Sequence, residues 1–201
     1  QSETVWHQAD RYGVPRIAFV NKLDRTGAGL DRTVAMIRQR LGANPVVVQM
    51  PVGRESDLHA VIDLLTMRAI SFDADGSTEG PGAEESEIPA ALRAEAERRR
   101  EAMIEALADA DDEIAVAYLE GDELSLDDLR AGLRRATIGG HAVPVLCGSA
   151  LRNLGIQPLL DAVIAYLPSP LEVEPMVGHD PVSGETLLCA PDVSEPLAAL
   201  I

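Results

Sequence analysis

Two runs of uninterrupted aliphatic residues, Ile17–Val20 and Val143–Cys147, set the first constraint on this chain. Each is bounded by polar residues, as expected of a strand covered on both faces, and each leads through a loop into a helical pattern. Ahead of the first run, residues 1–12 read as a helix closed by the turn Gly13-Val14-Pro15; behind it, a helix from about Leu30 to Leu41 stops at Gly42. Behind the second run, Ile156, Leu159, Leu160, Val163 and Leu167 fall on one helical stripe. Buried strands alternating with helices predict α/β layering, with helices laid over a sheet.

From Pro45 the grammar changes. VVVQMPV, AVIDLL and MRAISF are short β-like runs between turn residues and predict a small antiparallel sheet. The Gly-, Ser- and acid-rich residues 73–87 predict an exposed loop. Helices follow. Pro89 suits a first helical turn, and Leu92, Ala96, Met103 and Leu107 form one stripe with Arg98, Arg99 and Arg100 pointing elsewhere. DDEIAVAYLE predicts a second helix. Ser125, opening SLDD, caps a third, whose stripe is Leu126, Leu129, Leu133 and Ala136 and which Gly139-Gly140 stop. Past Leu167, the Pro-rich LPSPLEVEP cannot continue a helix, and the final PLAALI reads as a strand just starting.

Charge and cysteine usage narrow the function. The formal net charge is −16, and residues 73–135 hold 19 acidic against 7 basic residues, a net of −12. A broad basic nucleic-acid surface is excluded there, and no sequence-specific nucleic-acid binding is expected. What remains is a solvated helical face or a docking surface for a basic partner. Cys147 and Cys189 form no metal spacing or disulfide framework, which suits a reducing, cytoplasmic setting. His7, His59, His141 and His179 are scattered, so no metal site is expected. No apolar run reaches the roughly 18 residues of a membrane span, and no signal peptide opens the chain. Gln1 opens directly on a helical pattern, which predicts a piece of something longer.

The stretch RIAFVNKLDRTGA carries the chemistry. Lys22 is the one lysine in a chain with 16 arginines, so position 22 asks for something that Arg does not supply. Polar residues at the carboxyl end of a strand stand where open α/β sheets place ligands. Guanine presents N1–H and the 2-amino group side by side, and Asp24 can accept from both; adenine would turn a lone pair toward the same carboxylate. Asn21 can donate to a base edge and tie neighbouring loops. Lys22 can lay its alkyl stem along a flat base while its ammonium stays solvated, where an Arg fork is shaped for paired oxygens. Short strings of this kind arise by chance, so a second feature is needed. Ser149-Ala150-Leu151 supplies it at the end of the strand Val143–Cys147. There a small Ala150 lets a backbone N–H approach a ring oxygen such as guanine O6, and Ser149 can brace the turn.

QSETVWHQADRYGVPRIAFVNKLDRTGA, RLGANPVVVQMPVG and VPVLCGSALRNLGIQPLLDAVIAYLPSP together resemble the elongation factor G family of ribosomal translocation GTPases. The likeness covers nearly the whole chain and is looser between about 73 and 125 and beyond 176. It implies that Asn21, Lys22 and Asp24 form the guanine-specificity motif, and that Ser149, Ala150 and Leu151 form the last nucleotide-binding motif, for GTP or GDP. In a minimal GTPase domain one helix and one strand separate these motifs, whereas 124 residues lie between Asp24 and Ser149, as in this family with its inserted subdomain. The implied fold is α/β: the C-terminal half of a P-loop GTPase-type sheet at 1–43 and 141–167, an inserted α+β subdomain at 44–140, and at 168–201 a linker and the start of a β-barrel domain. The implied partners are the ribosome and, through the acidic insert, its stalk protein. The family's phosphate loop GxxxxGK[ST], its switch regions and its magnesium ligands do not occur in these residues. Phosphoryl transfer rests on those parts, so no catalytic residue is assigned here: the parent is expected to be a GTPase, and this chain by itself inactive. A recycling or ribosome-protection GTPase, or a non-enzymatic acidic interaction module, is the alternative.

Overall fold

A computed structural model describes residues 2–72, 84–173, 175–180, 183–192 and 194, which fall into two units, residues 1–167 and 168–201. The first unit is built around a parallel sheet of three short strands, β1 (Ala18–Val20), β2 (Pro45–Val47) and β7 (Val143–Cys147), in the order β1-β7-β2. Strand β7 lies in the middle and all five of its residues are buried, which is why its sequence is apolar throughout. Helices α1 (Ser2–Arg11) and α2 (Leu30–Leu41) flank β1 in sequence, and α2 ends where Gly42 adopts the left-handed conformation. The mixed α/β class expected from the sequence is the one observed.

The apolar run after Pro45 is not one strand. Its first three residues pair in parallel with β7. At Val48 the chain changes sheets: Val48 N donates to Val145 O (3.1 Å), and Val48 O accepts from Leu64 N (3.0 Å). Strand β3 (Gln49–Val52) then opens an antiparallel sheet with β4 (Ala60–Asp63), β5 (Arg68–Ser71) and β6 (Glu84–Ser86), in that order. Valine suits either sheet, so Val46, Val47 and Val48 by themselves show no break. Strand β6 falls inside the stretch expected to be a loop, whose residues 73–83 lie outside the described ones. At a sheet edge, with every side chain exposed, acidic residues serve as well as aliphatic ones.

Three helices complete this half of the unit. Helix α3 (Ala90–Ala108) starts one residue after Pro89, which is the N-cap and not part of the first turn, and buries Ala96, Met103 and Leu107. Its arginines turn away from that stripe but are not merely solvated. Arg98 pairs with Glu95, Arg99 reaches both oxygens of Asp31 on α2 (2.8 and 2.9 Å), and Arg100 donates to the carbonyls of Leu64 and Leu65. Asp111 caps α4 (Asp112–Glu120), and Ser125 and Asp128 form a reciprocal capping box on α5 (Leu126–Ile138). Helix α6 (Ile156–Tyr166) departs from the expected stripe: Leu160 and Val163 are 58% and 40% exposed, while Ala162 and Tyr166 are buried. The helix carries aliphatic residues on more than one face. The side chosen is the one where small Ala162 allows close packing and Tyr166 fills the space beside it.

The ion pairs give stability a pH dependence. Hydrogen bonds from Arg135 and Arg99 hold Asp111 and Asp31, respectively, below the usual carboxylate range. What they contribute is complete above about pH 4 and is lost as pH falls through the lowered values. Asp63 has the opposite sign: burial raises its pKa, so its ionised form costs stability near neutral pH and protonation relieves that cost. The urea midpoint is therefore expected to fall as pH drops below about 4, where the two paired carboxylates outweigh Asp63. A midpoint rising through that interval would show that the pairs do not stabilise the fold.

In the second unit Ser169 and Glu172 close a capping box on a 3-10 turn at Pro170–Glu172. Strands β8 (Met176–His179) and β9 (Thr186–Cys189) form an antiparallel hairpin.

Candidate functional site

The register Val20↔Cys147 brings the carboxyl ends of β1 and β7 side by side. Two backbone bonds then carry the pairing beyond the strands: Gly148 N donates to Val20 O and Leu23 N to Gly148 O, both at 3.1 Å. The loop after β7 folds tightly on itself, with Ser149 N bonded to Leu154 O (3.0 Å) and Leu154 N to Ser149 O (2.9 Å). Gly148 is required for that closure, since a Cβ there would stand 2.1 Å from Leu154 O.

Asn21, Lys22, Asp24, Ser149 and Ala150, all expected site residues, meet across these loops. Asn21 Oδ1 accepts from Lys22 N (2.7 Å) and from Ala150 N (2.9 Å). It thereby ties the two loops and leaves its amide nitrogen as the donor not used in either bond. Lys22 is exposed and sits at φ 62°, an uncommon conformation for a non-glycine residue that clusters at ligand-binding turns. Leu23, buried at the same turn, pins the loop to the core between the two polar positions. Asp24 has a side chain only 12% exposed. The Ser149 hydroxyl is the first influence holding its pKa down, followed by a backbone hydrogen bond, Arg25 and Arg152, against the opposing effect of desolvation. Asp24 therefore stays an ionised acceptor. Ser149 Oγ is itself buried, so its hydroxyl acts on the neighbouring carboxylate and not on solvent.

The Ala150 N–H is engaged by Asn21, and Leu151 is 80% exposed with no hydrogen bond to the first loop among those described. Sequence reasoning also missed Arg25, whose Nε lies 3.9 Å from the Asp24 carboxylate, and Arg152, which biases the same group. Their closeness in sequence to Asp24 and Ser149 was the available signal. The donor and acceptor set, an ionised carboxylate beside an amide N–H₂ not used between the loops, suits a purine with adjacent N–H groups. Among the described residues no group of three or more His, Cys, Asp or Glu could hold a metal ion, and no helix is long and apolar enough to cross a membrane.

Residues 1–169 match the family model described as the elongation factor Tu GTP binding domain. The chain belongs to this family. Within the elongation factor Tu GTP binding domain family its similar relatives include elongation factor G of Thermotoga petrophila, 53% identical over 201 residues, all of this chain and 28% of the relative. Elongation factor G of Thermotoga maritima is also 53% identical, over 29% of its length. The chain thus spans less than a third of these relatives. A crystal structure of a Thermus thermophilus protein superposes with a TM-score of 0.72 at 29% identity, covering 90% of this chain and 28% of that one.

Proposed function

We propose that this chain is the guanine-reading portion of a translational GTPase that promotes ribosomal translocation with GTP. Asn21, Lys22, Asp24, Ser149, Ala150 and Leu151 are its base site. The observation that carries this reading is the bond from Ala150 N to Asn21 Oδ1. It joins two loops far apart in sequence at the strand ends, beside an ionised Asp24. Asp24 would accept from N1–H and the 2-amino group of guanine, Asn21 would donate to the base edge, and the Ala150 N–H would be shared between Asn21 and O6. Lys22 would cover one face of the ring with its methylenes. The nucleotide, when bound, supplies the phosphates; the residues named here select and orient its base.

Residues 1–43 and 141–167 form the GTPase-type part in this reading. Residues 44–140 form an inserted subdomain that lends its first strand, β2, to the parallel sheet, and residues 168–201 lead into a β-barrel domain. The ribosome is the partner, and the net charge of −12 over residues 73–135 suits contact with a basic protein such as that of the ribosomal stalk. The setting is the cytoplasm, and magnesium would be held by residues other than these.

The test is an amide NMR titration of the 201-residue polypeptide with GDP and, separately, ADP, to about 10 mM, where millimolar affinity still registers. Shifts at Lys22, Leu23, Asp24 and Ala150 with GDP only are expected, with no hydrolysis of GTP. Equal shifts with ADP would end the guanine reading, and turnover of GTP would end the division of labour proposed here.

A further inference from the structure

The turn between β3 and β4, residues 53–58, belongs by sequence to the antiparallel sheet, yet its polar groups are spent on the two loops of the site. Glu55 Oε1 accepts from Gly27 N (2.9 Å), in the loop that follows Asp24. Ser56 O accepts from Arg152 Nη1 (3.0 Å), in the turn that follows Ser149. One short turn therefore holds one group from each loop.

The turn is built to stay in place. Leu58 is 1% exposed and packs in one cluster with Val20, Leu23, Leu30 and Leu154, residues that flank both loops. Gly53, at φ 87°, lies so close to the following backbone that a Cβ would stand 2.1 Å from Asp57 O. Glu55 itself is held at φ 52°. Two left-handed residues in one turn, over a buried leucine, make a conformation that the surrounding structure must enforce.

We infer that residues 53–58 are a positioning strap for the base-reading loops, in which Glu55 fixes the loop of Asp24 through Gly27 and Arg152 fixes the turn of Ser149 through Ser56. The inference rests on the guanine reading for its purpose, but its geometry does not depend on that reading. Asn21 joins the loops directly through Ala150 N, and the strap joins them a second time through Gly27 and Arg152. With both joints closed, the spacing between Asp24 and Ala150 is fixed before any ligand arrives, which is what preorganised recognition requires. Arg152 adds a second link, since its charge also favours the ionised form of Asp24.

The experiment compares amide exchange by NMR in the 201-residue chain and in Glu55→Ala, Glu55→Gln and Arg152→Gln. Glu55→Ala should reduce protection of the Gly27 amide by about tenfold, the loss of one hydrogen bond. The loss should spread to the Lys22 and Ala150 amides, while β4 and α5 stay protected as proof of folding. Glu55→Gln, which keeps an acceptor oxygen, should restore most of it. Arg152→Gln, which loses the bond to Ser56 O, should lower protection of the Leu154 and Ala150 amides in the same way. A loss confined to Gly27, or no loss there, overturns the strap, as does unchanged exchange at Leu154 and Ala150 in Arg152→Gln. If Glu55→Ala fails to fold, Arg152→Gln still decides the matter by the exchange of Leu154 and Ala150. GDP titrations of the same samples separate the two ideas. A chain without GDP-specific shifts, but with exchange losses that spread from Gly27 to Ala150, would keep the strap and end the guanine reading.

Discussion

Asp24→Asn is expected to turn a guanine reader into a xanthine reader. The side chain then offers one acceptor and one donor in place of two acceptors. Guanine, with two donors on that edge, loses a partner and gains a clash of N–H groups; xanthine, with N1–H beside a 2-oxo group, matches the amide. Sites that pair buried polar groups with a substrate discriminate by about 10⁴–10⁵; since the Asp24 loop borders solvent, a fall of about 10³ in GDP affinity is the expected result, with XDP improving. A readable affinity needs the phosphate-binding parts, so this chain would replace the matching segment of Thermotoga maritima elongation factor G, to which it is 53% identical. A hybrid carrying Asp24→Asn that still prefers GDP would show that Asp24 does not read the base.

Asp111→Ala should destabilise the fold at a point remote from the site. The Asp111 side chain, 7% exposed, accepts from Arg135 Nε and Nη2 (2.8 and 2.7 Å). It also accepts from Ile114 N (3.1 Å) at the start of α4. One carboxylate thus holds α5 and caps α4, and Gly132 on α5 makes room for the first turn of α4: a Cβ there would stand 2.5 Å from Ile114 Cγ1. Losing an N-cap costs about 1 kcal/mol, and a hydrogen bond to a charged group contributes about 1.5–3 kcal/mol. Arg135 is 41% exposed and can rehydrate, so a total of about 2–3 kcal/mol is expected, a fall in Tm of about 5–10 °C for a chain of this size. Asp111→Asn, which keeps the cap and loses the charge, should lie between the two.

The helices and the parallel strands β1 and β7 were legible because each is decided locally, by a stripe, a cap or an apolar run. Ser125 and Asp128 were readable as a cap because both partners lie within one turn. The break at Val48 was not, since it depends on which strands lie alongside: Val145 on one side and Leu64 on the other. The exposed face of α6 escaped for a related reason, as a helix with aliphatic residues on several faces takes its orientation from its neighbours. Asn21 and Asp24 stood out by chemistry. Glu55 did not, because its partner is a backbone N–H 28 residues away, and backbone groups leave no mark on a sequence.

The way the chain leaves and rejoins the parallel sheet has a mechanical consequence. Val143 N donates to Asn44 O at 2.9 Å, so everything from Pro45 to Ala142 departs from and returns to nearly one point. A mass hung from one point swings like a pendulum. The pairing of β2 with β7 and the bonds of Arg99 to Asp31, Gly27 to Glu55 and Arg152 to Ser56 are fixings away from that point, and fixings off one axis turn a pendulum into a bracket. Residues 45–142 are thereby fastened to the loops of Asp24 and Ser149 at more than one place, as a bracket is to a wall.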